Sequence, residues 1–240
     1  MEQTNQIFSI LPLRLNLTRG QNCSYLPEQI EQRIATDITN YPNVHDRLAE
    51  TGFRRIENWV YQPSCPNCSA CKPIRVRVGS FMPSKTQKRI RSKNSDIVCQ
   101  TVGMKTTLEQ YLLFQRYLSM RHIDGQMASM SYDEYYAMIA NSPIDTNLLE
   151  FRVSDTDELI GCMLIDTQRD GLSAVYSFFD PEQTKRSLGS FMILYLIELA
   201  RMQKLPYLYL GYYIPFSQKM SYKVNFKPYE IFQHGKWEIP

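Results

Sequence analysis

Tyr176-Ser177-Phe178-Phe179-Asp180-Pro181 leads, after three further residues, into Lys185-Arg186-Ser187-Leu188-Gly189, and a long apolar run follows. The aromatic stretch reads as a strand that stops at the Asp-Pro pair. Beyond the basic, glycine-containing loop, Leu188, Phe191, Met192, Tyr195, Leu196 and Leu199 recur at helical spacing. A strand that turns through such a loop into a helix leaves free backbone N–H groups, at the positive end of the helix dipole, facing the strand's exit. That geometry suits an anion.

Working outward, residues 147–153, 158–166 and 173–179 read as strands, with Asp170-Gly171 as a hairpin turn between the last two. Before them, residues 106–120 read as a helix, with Leu108, Tyr111, Leu112 and Leu118 in register. Ser131 opens another, with Glu134 in capping-box position. After the long helix come a short strand at 207–211, a short helix and a strand near 229–233. Helices, three antiparallel strands, a helix crossover and a further strand make an α+β fold.

The first half has a different texture, rich in Pro, Cys and Arg. Residues 27–38 and 43–51 read as helices, the second ended by Gly52. Residues 53–61 and 73–78 read as strands; in the latter Ile74, Val76 and Val78 share one face, Arg75 and Arg77 the other. Residues 83–94 read as a helix capped by Ser84. Two domains are expected, residues 1–104 and residues 105–240.

A chain of 240 residues with 43% hydrophobic and 21% charged residues has the makings of a packed core, and its composition does not suggest disorder. The net charge of +3 says little about partners. The first ten residues show neither a basic n-region nor an apolar run, and the apolar stretch at 191–200 is too short to span a bilayer, so a cytoplasmic protein is expected.

Cys65-Pro66-Asn67-Cys68-Ser69-Ala70-Cys71 is a C-x2-C-x2-C run, and Cys23 lies 42 residues upstream as a fourth ligand. Thiolates on such a turn can share a Zn²⁺ ion or an iron–sulfur cluster, in a structural role. Cys99 and Cys162 read as core residues. From Asn58 to Ser95 there is no Asp or Glu, while Lys72, Arg75, Arg77, Lys85, Lys88, Arg89, Arg91 and Lys93 all fall there. On a helix, Lys85, Lys88 or Arg89 and Ser92 share a face that can follow a phosphate backbone.

The order of strand, basic loop and helix also resembles the GNAT acyltransferases, whose pyrophosphate loop reads Arg/Gln-x-x-Gly-x-Gly/Ala. Arg186 and Gly189 match, but Phe191 stands where a small residue belongs, which points away from coenzyme A. A more specific resemblance spans nearly the whole chain. Cys23-Ser24-Tyr25-Leu26-Pro27, the cysteine run with Ile74-Arg75-Val76, Ser84-Lys85-Thr86-Gln87-Lys88-Arg89, Lys93-Asn94 and Leu149-Glu150-Phe151-Arg152 stand in order. Val175 to Pro181, Ser187-Leu188-Gly189, Leu210-Gly211-Tyr212-Tyr213-Ile214 and Lys219-Met220-Ser221-Tyr222-Lys223 follow. By these segments the chain resembles the arginyl/leucyl-tRNA–protein transferase family of the N-end rule pathway, most of all its short bacterial form. The resemblance implies that leucine passes from leucyl-tRNA to an N-terminal Asp or Glu of an acceptor protein, marking it for proteolysis. It also implies a GNAT-like second half that holds the 3′ end of the charged tRNA, and no cofactor in the chemistry. An arginyl donor, a GNAT acetyltransferase using acetyl-coenzyme A and an RNA-binding module with a zinc ribbon are the alternatives.

The implied reaction is aminolysis of an ester. Asp180, then Glu150, are the candidates to orient or deprotonate the acceptor amine, and Tyr176, Tyr212 and Tyr213 to donate to the oxyanion or leaving hydroxyl. Lys185 and Arg186, with Ser187 and Gly189, would hold the terminal phosphates, and Lys85 and Arg89 the backbone. Arg75 or Arg77 is expected to read the acceptor's carboxylate, with Lys219 or Lys223 as alternatives and Tyr222 beside them.

Overall fold

The computed structural model describes residues 13–121, 125, 127–215, 217 and 219–240. Residues 1–12, read above for a leader, lie outside them. The first segment carries β1 (Asn16–Leu17), β2 (Gln21–Asn22), β3 (Ile30–Glu31), β4 (Arg33–Asp37), α1 (His45–Glu50), β5 (Arg54–Ile56) and β6 (Trp59–Pro63). Next come β7 (Lys72–Arg77), α2 (Lys85–Lys93), β8 (Ile97–Gly103), α3 (Leu108–Arg121) and α4 (Tyr132–Ala140). The rest is β9 (Thr146–Val153), β10 (Leu159–Gln168), β11 (Gly171–Phe179), α5 (Leu188–Met202), β12 (Tyr207–Tyr213), β13 (Tyr229–Gln233) and β14 (Lys236–Glu238).

Eight strands form one sheet in the order β14-β13-β7-β12-β11-β10-β9-β8. Only β11 and β12 run parallel, and α5 makes the crossover between them. Alternate residues of the central strands feed opposite faces. Leu149, Phe151, Ile160 and Met163 pack under α5, and Leu148, Cys162, Leu164 and Phe178 pack under α3 and α4. This is the mixed α+β fold expected, with the GNAT-like crossover after the third antiparallel strand. Among the described residues no helix is long and apolar enough to cross a membrane.

The sheet ignores the division expected between residues 104 and 105. β7 lies between β12 and β13, and β8 forms the far edge beside β9. The apolar face of β7, Ile74 and Val76, belongs to the core under α5. What remains outside is a small sheet, β1-β4-β6-β5, and the β2-β3 pair.

Residues 27–38 are not a helix. Arg33–Asp37 pairs antiparallel with Trp59–Pro63 from Arg33↔Pro63 to Asp37↔Trp59. The β-branched Ile34 and Thr36 favour that extended form, and the partner hairpin supplies the hydrogen bonds that the local sequence does not. The strand expected at 53–61 is itself that hairpin, turned by Glu57 at φ +50°. Gly52 does follow α1, at φ +91°. In α3 the buried face is Gln110, Leu113, Phe114 and Leu118, whereas Leu108 and Leu112 are more than half exposed. The capping boxes at Ser84–Gln87 and Ser131–Glu134 are both present.

Candidate active-site cleft

β11 pairs with β12 only from Gly171↔Tyr207 to Ser173↔Tyr209, and the two strands then part. β11 carries a register shift at the same point, opposite Leu164 and Ile165, which takes Val175 out of the ladder. A cleft opens there. Arg54 of β5 reaches into it from the small sheet, and its Nη2 donates to the carbonyls of Ala174 at 2.9 Å and Val175 at 3.3 Å. It passes over Gly211, at φ +77°, where a Cβ would lie 2.5 Å from Arg54 Nη1. Nη1 is buried with no hydrogen-bond partner among the described residues. On its inner side a cavity of about 10 Å³, room for one water, separates it from Gln168, whose Oε1 is equally without a partner.

Lys223 lies beside Arg54, in a 3-10 turn spanning Ser221–Asn225. It is 7% exposed, and Nζ donates to the Tyr212 carbonyl at 2.7 Å. Burial first, and then the charge of Arg54, push its ammonium down to about 7. Tyr222 next to it leaves 41% of its surface open, while burial first, and then Tyr117, raise its pKa to about 12. Burial likewise raises the pKa of Tyr176, with Tyr117 and Tyr25 as its charged-state neighbours. Tyr117 packs on Phe179 at 5.0 Å, and a Cβ on Gly189 would lie 3.1 Å from the Phe179 ring. Tyr25, Tyr117, Tyr176 and Tyr222 thus lie near one another at the parting, with Phe179 packed on Tyr117, and Arg54 acts on both Tyr222 and Lys223. Among the described residues the acids that act here are Glu31, on Tyr25, and the Cys71 thiol, on Lys223.

Several residues singled out in the sequence are occupied elsewhere. Asp180 is buried, and its Oδ1 accepts the Glu182 N–H at 3.1 Å, closing the turn at Pro181. Glu150 lies among the residues under α3, accepting from Gln110 Nε2 at 2.7 Å and Arg152 Nε at 2.8 Å. The Tyr212 hydroxyl donates to the carbonyls of Gly52 at 3.0 Å and Tyr61 at 3.2 Å, tying β12 to the small sheet. Arg75 donates to Glu230 at 2.8 Å and to the Tyr209 hydroxyl at 3.0 Å, and stacks between Tyr207 at 3.5 Å and Trp237 at 4.3 Å. Its donors are spent inside the fold, and Arg77 stands 3.6 Å from the same Glu230. Arg186 makes a bidentate pair with Asp96 at 2.7 Å, and its carbonyl accepts from Asn94, so α2 braces the loop before α5.

Ser187, at φ +54°, begins α5 with no side-chain cap, and Lys185 is exposed next to it. Lys85, Lys88 and Arg89 stand exposed on α2, and Lys219 is exposed near Tyr222. Tyr213 is half-buried against the core under α5. Cys65 and Cys68 face each other across a β-bridge, and Cys71 has its thiol pushed up to about 12, first by burial and then by Cys65, Cys23 and Cys68. The four thiols share a neighbourhood, although among the described residues no three Cys, His, Asp or Glu side chains converge as an ion cage.

Arg54 and Tyr117 had no signal in the sequence beyond a basic strand end and scattered aromatics, and Tyr25 appeared there only within the family-matching segment from Cys23 to Pro27. Only the splay of β11 from β12 brings them together.

A mixed sheet parted at its parallel pair, with a cleft at the parting, is a GNAT-type acyl-transfer scaffold. The chain matches the family models for the arginine-tRNA-protein transferase N terminus over residues 21–89 and C terminus over residues 109–233, and it belongs to that family. Both matched segments contribute walls to the cleft. An aspartate/glutamate leucyltransferase of Gluconacetobacter diazotrophicus is 49% identical over 92% of this chain and 85% of its own. The enzyme of that name in Caulobacter vibrioides is 41% identical over 98% of this chain and 86% of its own. Among solved structures, a C-terminal domain assigned to lysylphosphatidylglycerol synthetase in Agrobacterium fabrum shares the fold, with a TM-score of 0.51 at 10% identity, over 80% of this chain and 66% of that one.

Proposed function

We propose that this protein transfers leucine from leucyl-tRNA to the α-amine of proteins that begin with Asp or Glu, a mark for proteolysis. The observation that carries this is the named relatives, 41–49% identical over both segments that build the cleft. The amine nitrogen attacks the ester carbonyl, a C–N bond forms, and the C–O bond to the terminal ribose breaks. The proton lost by the amine ends on the ribose oxygen. An α-amine has a pKa of ~8 and the ester is already activated, so holding the two together does most of the work. Tyr176 and Tyr222 keep their protons at neutral pH and supply hydroxyl donors to the oxyanion or leaving oxygen.

The cleft favours leucine over arginine as the donor's side chain. Half-buried Arg54 and buried Lys223, with the nearby Glu31 carboxylate already paired to Arg33, make a poor host for a further guanidinium. Exposed Lys85, Lys88 and Arg89 on α2, with Lys185 beside the start of α5, offer a track for the donor's phosphates. Cys23, Cys65, Cys68 and Cys71 would hold a structural zinc ion or iron–sulfur cluster, tying the β2–β3 segment to the hairpin. Four thiols are suitable donors, but among the described residues no three converge, so an ion would have to draw them together; metal analysis of the purified protein tests it.

Leucyl- and arginyl-tRNA, each labelled on the amino acid, are offered side by side with Glu-, Asp- and Ala-starting peptides. Leucine moving to the first two, lost after RNase treatment and indifferent to acetyl-coenzyme A, is the expected result. Arginine moving instead, or acetyl transfer, overturns the reading.

A further inference from the structure

An enzyme that accepts N-terminal Asp and Glu but rejects their amides must recognise a carboxylate with a buried cation, because an exposed one in water discriminates weakly. Several of the protein's cations are engaged by the fold. Arg75 is held by Glu230 and Tyr209, and Arg186 by Asp96. Arg33 pairs with Glu31 and lies over Tyr61. Arg77 and Lys219 are exposed.

Two cations differ. Lys223 is buried and spends one of its three protons on the Tyr212 carbonyl. Arg54 is clamped by two carbonyls of β11 and has no carboxylate partner among the described residues. The two charges act on each other, offset in part by the Cys71 thiol, and neither is paired with a carboxylate among the described residues. We propose that Lys223 and Arg54 form the subsite that takes the side-chain carboxylate of the acceptor's N-terminal residue, Lys223 by direct hydrogen bonds and Arg54 by the second charge. The inference rests on the reading above that the acceptor begins with Asp or Glu.

The subsite lies at the splay: Arg54 holds the Ala174 and Val175 carbonyls just before Tyr176, and Lys223 follows Tyr222 in the same 3-10 turn. A phosphodiester would bring two riboses into that space, whereas an acidic side chain at a chain terminus is short and ends in the anion itself. A bound carboxylate supplies the counter-charge the pair lacks, and placing it there leaves the adjoining α-amine beside the two tyrosine hydroxyls.

The test measures binding of fluorescent Glu-starting and Gln-starting peptides to the full chain, and separately leucine transfer to the same peptides. Wild type should prefer the Glu peptide by about 10-fold or more in binding, the size of one charge-assisted contact. Lys223→Met should bring that ratio close to one and leave the KM for leucyl-tRNA within about twofold. Because Arg54 also ties two strands, Arg54→Lys accompanies Arg54→Gln; the lysine variant should keep part of the preference and the glutamine variant lose it. Thermal unfolding confirms that each variant is folded. Equal binding of the two peptides by wild type, or an unchanged Glu preference in folded Lys223→Met, overturns the subsite. So does a rise in donor KM that is the same with both peptides, which would assign the pair to a donor phosphate. Failure of wild type to transfer leucine at all, with the Glu preference intact, would instead sink the proposed function and leave the carboxylate subsite standing.

Discussion

Arg54 and Arg55 are successive residues of one short strand, and they meet opposite fates. Strand alternation sends them to opposite sides. Arg55 reaches Asp166 through two hydrogen bonds, of 2.8 and 2.6 Å, with both side chains 1% exposed and Thr146 donating to the same carboxylate. Arg54 reaches only backbone carbonyls, over a glycine. The contrast follows the two flanks of β11. On the β10 side the ladder runs from Gly171 to Phe179; on the β12 side it stops at Ser173. A closed flank excludes water and must neutralise every charge it buries. An open flank can keep a charge uncompensated, and that is where a ligand's opposite charge gains most.

The largest effect should come from breaking the closed flank. Asp166→Ala leaves Arg55 buried without its partner, and a urea titration should show a loss of about 3–5 kcal/mol. The double variant Arg55→Met/Asp166→Leu should recover most of it, since the cost lies in the orphaned charge. If Asp166→Ala is nearly neutral, the flank is wetter than its geometry implies.

On the open flank, Gly211→Ala forces a Cβ into Arg54 Nη1 at 2.5 Å on a backbone at φ +77°. A loss of about 2 kcal/mol is expected, from the left-handed conformation and the contact. Displacement of Arg54 should also lower the Glu-over-Gln preference in the transfer assay. Stability unchanged within error would mean that Arg54 is free to move aside.

Lys223 sharpens the comparison through pH. Its folded pKa of about 7 lies below its ordinary value of 10.5. Between those values the unfolded chain binds the extra proton, so stability rises with pH and the gain is lost as pH falls towards 7. Wild type should gain on the order of 1 kcal/mol per pH unit relative to Lys223→Met as pH climbs above 7. Parallel stability curves for the two proteins would show that Lys223 is solvated.

The smallest effect on stability, within about 0.5 kcal/mol, is expected on replacing exposed Lys85, Lys88 and Arg89 by Ala. The same triple variant should raise the KM for leucyl-tRNA and reduce the salt dependence of tRNA binding by about 2 in the log–log slope. An unchanged salt slope would remove α2 from the tRNA track.

The elements around the cleft were legible where their signals were local. Ser131 and Glu134 announce α4, Asp170-Gly171 announces the turn into β11, and the apolar residues from Leu188 onward announce α5, because caps, turns and periodicity involve only neighbours in the chain. Residues 27–38 misled for the complementary reason. Pro27 and Glu28 make an acceptable helix start, but Arg33–Asp37 takes its hydrogen bonds from a hairpin about twenty residues later. Arg75 misled in the same way. On a lone strand it looks free, and only the fold puts Glu230 from β13 and Trp237 from β14 around it.

By itself the sequence determined the secondary structure of the second half, the α+β class, the family resemblance and the cysteine cluster, all carried by residues near one another along the chain or by motifs in a set order. The tertiary structure alone decided that β7 enters the sheet between β12 and β13 and that β11 parts from β12 after Ser173. It also decided which cations remain without an acid. The physical reason is that a charge is neutralised by whatever lies within a few ångströms of it, and for Arg54, Arg55, Arg75 and Lys223 most of those neighbours come from distant parts of the chain.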